Sequence, residues 1–497
     1  MIKKMLIISR CLILLIIIAA YAGCNKSKEV PLRIVAELNI GESKEIKLPN
    51  RDIVKLSLLG IQTVCDSIRN AIHEVKVRIS VNGEEITIGS GNYNLPVTVG
   101  EVQIDCPIVK NYYINSDWDV WKLKKDARFR LWLKDYPYLS PGTFVYPVKQ
   151  RWFADKTQSG NEPTFSSFGL NPENKKIYYH SGHDIGGAEG LDEILSATDG
   201  LVVSANGDAL EGYSDLPGNP RFDRVHIKDN RDWYYMYSHL DSIFPTLKPG
   251  IKVKPGQRIG LMGKKGDSGG WVHLHFDISI KDTTTGNWVR EDAYPYLWEA
   301  YVRQYDPAVI AVARPQQQLW TGQVTRLDGR KSKSLKGEIV SYEWIFCDGT
   351  TAVGAVQEKS YEKPGEYCEI LKVTDSKGNL DYDFTTVKVI DKNNPEKFIP
   401  GIQAAYYPTL NIKPGDPVTF LVRTFNSDVD NEVWDFGDGS PKIKTKSEKV
   451  IREKRTEGKF AETRHSYSKA GNYIVRVERS NENGYKAIGH LHVVVNE

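Results

Sequence analysis

The chain has 497 residues, more than one ordinary core organises, so it divides into several domains. Hydrophobic residues make up 40% and charged residues 26%, a balance that excludes a multispanning membrane protein. The net charge of +3, with acids and bases interspersed, leaves no basic stripe of the kind a nucleic-acid partner needs.

The first predicted element is a leader over residues 1–23. Lys3, Lys4 and Arg10 form a positive start, and Leu12 to Ala20 form an apolar run too short to span a bilayer comfortably. Tyr21-Ala22-Gly23-Cys24 resembles a bacterial lipobox, with tyrosine where leucine is usual. That resemblance implies lipidation of Cys24, a tether over 24–29 and an address in the cell envelope, with the outer membrane as the expected membrane. The alternative is cleavage nearby that leaves Cys24 an ordinary thiol. Cys65, Cys106, Cys347 and Cys368 remain once the leader is removed. An even number in an exported chain predicts disulfides, which sequence neighbourhood pairs as Cys65–Cys106 and Cys347–Cys368. Four buried thiols are the other reading.

Residues 30–141 read as strands. Val75, Val77, Ile79 and Val81 alternate with polar residues, Phe129, Leu131 and Leu133 do the same, and Asn82-Gly83 marks a two-residue hairpin. A small β-sandwich without residues that carry chemistry is expected, with Trp118 and Trp121 packed inside it; contact with a ligand is the alternative for that pair.

Residues 142–312 hold the chemistry. Trp271 to Ile278 alternate, so His273, His275 and Asp277 share one face while Val272, Leu274, Phe276 and Ile278 share the other. Trp233 to Leu240 read as a second strand, whose alternation groups Tyr235, Tyr237 and His239 on the near face. Between His180 and Asp184 a glycine turn can fold both side chains onto one metal. About three His or carboxylate ligands with one open position describe a working zinc site. Tyr237 either walls that site or packs as an ordinary aromatic. Asp277 is a candidate to orient a ligand histidine. His183 is expected to face solvent, and His226 to play no part.

These residues resemble the lysostaphin-type (LytM-like) zinc endopeptidases over roughly 144–300. Phe165-Ser166-Ser167-Phe168-Gly169 is similar to that domain's opening turn, Asp199 to Val203 to its early strand, and Lys254 to Gly260 to its glycine-rich approach. The resemblance implies Zn2+ held by His180, Asp184 and His275, with His239 and His273 as the catalytic pair. It also implies peptide stems or cross-links of peptidoglycan as substrate. Gly270-Trp271-Val272 is longer and bulkier than the usual step before the histidine pair, and Asp277 stands where glutamate is common. Gly207 to Arg221 forms a long polar insertion of the kind that shapes a groove or lid.

Residues 313–394 and 395–497 repeat a pattern. Tyr342 to Gly349 and Trp434 to Gly439 each end a strand in a tight Asp-Gly turn, followed later by Gly365-Glu366-Tyr367 and Gly471-Asn472-Tyr473. Both copies resemble the PKD domain, an immunoglobulin-like β-sandwich, which implies spacing or adhesion. Spacing is the expected role, with Asp391 to Pro400 as the linker. His490-Leu491-His492 lies in the last strand without a partnering His and Asp turn, so no second metal site is expected.

The expected molecule is therefore an all-β, multidomain, envelope-anchored zinc endopeptidase acting on peptidoglycan or on a protein. The competing reading is a surface adhesin whose β-sandwiches bind glycan or protein, with the zinc domain kept as a scaffold. Nothing in the sequence sets an oligomeric state.

Overall fold

A computed structural model describes residues 32–113, 116, 119–152, 158–160, 162–165 and 177–497. The leader, Cys24 and Trp118 lie outside the described residues, as does most of the proposed opening turn. The described chain is nearly all β, with one α-helix, Tyr294–Tyr305.

The N-terminal region is two four-stranded antiparallel sheets face to face. One runs in the order Arg33–Leu38, Ala127–Leu133, Val102–Val109, Val97–Val99, and the other is the meander Ser43–Lys47, Ile53–Cys65, Ile72–Val81, Glu84–Gly89. Val75, Val77, Ile79 and Val81 are all buried and meet Ile104, Phe129 and Leu131 of the facing sheet, with Trp121 in the same core. Asn82 and Gly83 have φ of 51° and 93° and join Val81 directly to Glu84, as a two-residue primed turn requires. The Ala127–Leu133 strand is buried on both faces. Its outward Arg130 is fully buried and donates to Glu291 at 2.8 Å, which docks this sandwich on the next region.

The histidine-bearing region is built on a nine-stranded antiparallel sheet. Its central order is Gly200–Ala205, Val225–Lys228, Trp233–Ser238, His273–Lys281, His183–Gly186. Leu274, Phe276 and Ile278 turn into the core against Tyr235, Tyr237, Ile185 and Val225, and the helix closes that core with Tyr294, Leu297 and Tyr301. The opposite face of the His273–Lys281 strand carries the site.

The two C-terminal sandwiches are joined more closely than spacers on a linker. Strand Gly365–Asp375 of the first pairs in parallel with Lys486–Val495 of the second at Gly365 and Glu366, making one continuous sheet. Ile370, Phe384 and Ile488 form a small core across that seam.

The disulfide expectation is corrected here: all four cysteines are free. Cys65 is exposed at the end of its strand, while Cys106 is buried, with its thiol donating to the Ile108 carbonyl at 3.6 Å. Cys347 directs its sulfur at the backbone of Cys368 and not at its thiol, donating to the Cys368 carbonyl at 3.3 Å and accepting from its N–H at 3.4 Å.

Candidate metal centre

Cross-strand pairing assembles the site. In antiparallel strands, directly opposed residues point to the same face. Asp184 is opposed to His275, and Ser238 is opposed to His275 from the other side. His180 enters from the preceding turn, where Gly182 has a φ of 82° and a Cβ would lie 2.7 Å from the Asp277 carboxylate. Only glycine lets the chain reverse that close to the sheet.

His180 Nε2, Asp184 Oδ1 and His275 Nδ1 form a small triangle. The edges are 3.2 Å from His180 to Asp184, 3.0 Å from His180 to His275, and 2.9 Å from His275 to Asp184. A tetrahedral ion with bonds of about 2.0–2.1 Å sets its ligand atoms about 3.3 Å apart, so the triangle fits one. The outer ring nitrogens are already engaged. His180 Nδ1–H donates to the Gly160 carbonyl at 3.2 Å, and His275 Nε2–H donates to Asp277 Oδ2 at 3.1 Å. Those bonds fix both tautomers and turn two lone pairs and a carboxylate oxygen toward one point. The electrostatics ask for a cation there. Burial opposes charge on His275, yet the Asp277 carboxylate and the bonds to Asp184 and Asp277 outweigh it and raise its pKa to about 9. Burial also opposes charge on Asp184, and His180 and His273 reverse that, holding it well below the usual carboxylate range.

His273 and His239 stand beside the triangle, both buried, with ring centres 4.8 Å apart. His273 Nδ1–H donates to the Trp271 carbonyl at 3.1 Å, and His239 Nδ1–H donates to the Lys265 carbonyl at 2.7 Å. Each ring thus presents Nε2 as a proton acceptor. His273 Nε2 lies 3.5 Å from Asp184 Oδ1. Burial pushes the pKa of His273 down to about 3 and that of His239 below its ordinary value.

Several expectations are corrected. Tyr237 is not at the site: it is opposed to Phe276, is fully buried, and accepts the Ala197 N–H at 2.7 Å. Strict alternation would have put His239 in the core with Tyr235 and Tyr237. The strand instead ends at Ser238, and His239 has a φ of 70°, which swings its ring to the site face. Asp223 holds that turn by accepting the His239 N–H at 3.0 Å. His183 does not face solvent. Opposed to Phe276, it is buried against Tyr93 and Tyr294. His226 is fully buried outside the cluster, and Asp277 accepts from His275. His490 and His492 are buried between modules, where His490 donates from Nδ1 to the Cys368 carbonyl at 2.7 Å.

The cleft above these residues measures about 740 Å³ and has walls from three regions. The first sandwich after the sheet supplies Gln316, Glu366, Thr386 and Lys388, and the second supplies Arg455. Among the described residues, none before Glu162 lines it, so the N-terminal sandwich stands clear. The last sandwich also grips the step before the histidine pair. Gln403 accepts the Val272 N–H at 2.8 Å and donates to the Val272 carbonyl at 2.7 Å. Arg423 donates to the Gly270 carbonyl at 3.2 Å, and Trp271 stacks on Phe425 with ring centres 4.5 Å apart. The bulk of Trp271 is thereby explained: it is a docking residue. Sequence reasoning missed these walls and clamps, because a clamp residue such as Gln403 carries no local signal of what it will face.

Fold and site together define a domain of the metallopeptidase class. Residues 178–287 match peptidase family M23, and residues 306–389 and 403–491 each match the PKD domain, so the chain carries an M23 peptidase domain followed by two PKD domains. It is similar to the L-Ala--D-Glu endopeptidase of Bacillus subtilis, at 31% identity over 36% of this chain and 51% of that protein. It is also similar to the peptidoglycan DD-endopeptidase ShyA of Vibrio cholerae, at 29% identity over 27% of each. Among solved structures, the catalytic domain of the prophage-encoded M23 protein EnpA from Enterococcus faecalis is 27% identical over 22% of this chain and 75% of that one, with a TM-score of 0.18. The chain thus spans about half the length of one curated relative and about a quarter of the other.

Proposed function

We propose that this protein is a zinc endopeptidase that hydrolyses peptide bonds in the stems or cross-links of peptidoglycan. The observation that carries the reading is the triangle of His180 Nε2, Asp184 Oδ1 and His275 Nδ1, with every outer bond arranged to leave those atoms free for a metal. The names of two relatives, a peptidoglycan DD-endopeptidase and an L-Ala--D-Glu endopeptidase, support the substrate class.

His180, Asp184 and His275 are the residues that would hold the ion. A zinc ion there would supply Lewis acidity and a water acidic enough to act as a nucleophile near neutral pH. His239 and His273, each with Nε2 facing the cleft, take the proton released in attack and return one to the leaving amine. Their protonated forms also offer N–H donors to the oxygen that gains charge on the scissile carbonyl. The buried setting keeps both rings neutral before reaction, as an acceptor must be.

The test uses the soluble chain beginning after Cys24 and whole peptidoglycan. His239→Ala and His273→Ala should abolish cleavage with zinc retained at one equivalent, whereas His275→Ala should lose the zinc. Undiminished turnover in all three variants would sink the assignment.

The envelope address rests on the leader and on Cys24, which we read as the lipidated residue of an outer-membrane anchor. Fatty-acid label that enters the wild-type protein and not Cys24→Ala is the expected result.

A further inference from the structure

The three arginines that the peptidase region contributes to the cleft differ in their partners. Arg221 is neutralised, lying 2.5 Å from Asp223 and 2.8 Å from Asp267. Arg290 is partly so, at 3.2 Å from the Asp277 carboxylate, and it also donates to the Pro217 carbonyl at 3.3 Å. Arg224 is different. Its Nε donates to Ser238 Oγ at 2.9 Å and its Nη1 to the Asn219 carbonyl at 2.9 Å, both neutral acceptors. Among the described residues, no carboxylate oxygen lies within ion-pair distance of its guanidinium, although the side chain is half-buried and lines the cleft.

A half-buried cation held only by neutral acceptors, with no ion-pair partner, still favours an anion at its open edge. Two fixed bonds hold the guanidinium plane still and leave N–H donors on its Nη edge unused. An oriented planar fork of this kind matches a carboxylate. The polar insertion completes the pocket: Gly218 passes so close that a Cβ there would lie 3.2 Å from Arg224 Nη1.

We propose that Arg224 is a carboxylate-recognising subsite, so that the preferred substrate is a peptide bearing a free carboxylate close to the bond that is cut. The proposal rests on the peptidase reading and narrows its substrate class. The spacing follows from the sheet. Ser238, which anchors Arg224, is directly opposed to the ligand His275. Neighbouring strands are about 4.8 Å apart, so the guanidinium lies roughly 5–10 Å from His275, about two to three residues of extended peptide.

The experiment compares two cross-linked stem peptides that differ only in whether the carboxylates flanking the scissile bond are free or amidated. With the wild-type chain, the free form should be cleaved at least tenfold better in kcat/KM. Arg224→Gln should bring that ratio near one, and Arg224→Lys should keep part of it. Ser238→Ala, which releases one anchor of the fork, should also lower the ratio and serves if the arginine variants fold poorly. Equal cleavage of both peptides by the wild type, or an unchanged ratio in Arg224→Gln, overturns the subsite and leaves the peptidase standing. Cleavage of neither peptide removes the peptidase reading and the subsite with it.

Discussion

Asp277 shows how much of this centre depends on side chains that never touch the metal position. Burial works against its charge, but Arg290 and His275 outweigh burial and hold its pKa at about 2. It is therefore a carboxylate at any working pH, ready to accept His275 Nε2–H and so to aim Nδ1 at the metal position. Asp277→Asn keeps the shape and weakens that acceptor. Its zinc affinity should fall by about 10–100-fold, read by competition with a chromogenic chelator. An affinity equal to the wild type would mean that Asp184 alone orients the ring. His239 makes a related point through the backbone. One left-handed residue, φ 70°, takes its imidazole out of the core register and into the site. Period-two reading could not foresee that step, since it assumes the strand continues.

At the scale of elements, the alternating His273–Lys281 strand was legible, because apolar and polar faces at period two leave one solution. The His180 to Asp184 turn was legible for a related reason: glycine between the two permits the reversal that brings them together. The three-residue step from Gly270 to Val272 was not, since its length and bulk are set by a partner more than 130 residues away in sequence. That partner makes a prediction. Gln403→Ala leaves the Val272 N–H and carbonyl buried without partners, at a cost of about 1–3 kcal/mol for each group. Its urea midpoint should drop accordingly, and peptide cleavage should fall because His273 follows directly. A midpoint unchanged from the wild type would mean that the clamp contributes nothing.

The whole molecule behaves as a set of fused modules. Arg130 ties the N-terminal sandwich to the peptidase domain, a shared sheet joins the two PKD domains, and both of these line the cleft. His492 lies on one of the seams. It accepts from Arg151 of the peptidase region at 3.4 Å and donates from Nε2 to Asn472 at 2.8 Å. Burial and the Arg151 charge lower its pKa from 6.5 to about 4. The unfolded chain therefore takes up this proton near pH 6.5 and the folded chain only near pH 4. The neutral ring's contribution is complete above pH 6.5 and is lost as pH falls toward 4, on the order of 2 kcal/mol by pH 5. His492→Gln should flatten the dependence of Tm on pH between 7 and 5; a slope identical to the wild type would remove this residue from the acid response.

The sequence by itself determined the all-β class, the shared face of His273, His275 and Asp277, and the two repeated sandwiches. Each of those rests on short-range pattern: side-chain alternation, glycine turns, and a repeated strand and Asp-Gly motif. Only the tertiary structure decided that the cysteines stay apart, that Tyr237 and His183 belong to the core, and that the PKD domains wall the cleft. Those outcomes depend on which surfaces meet, and complementarity between distant surfaces leaves no periodic trace in either partner.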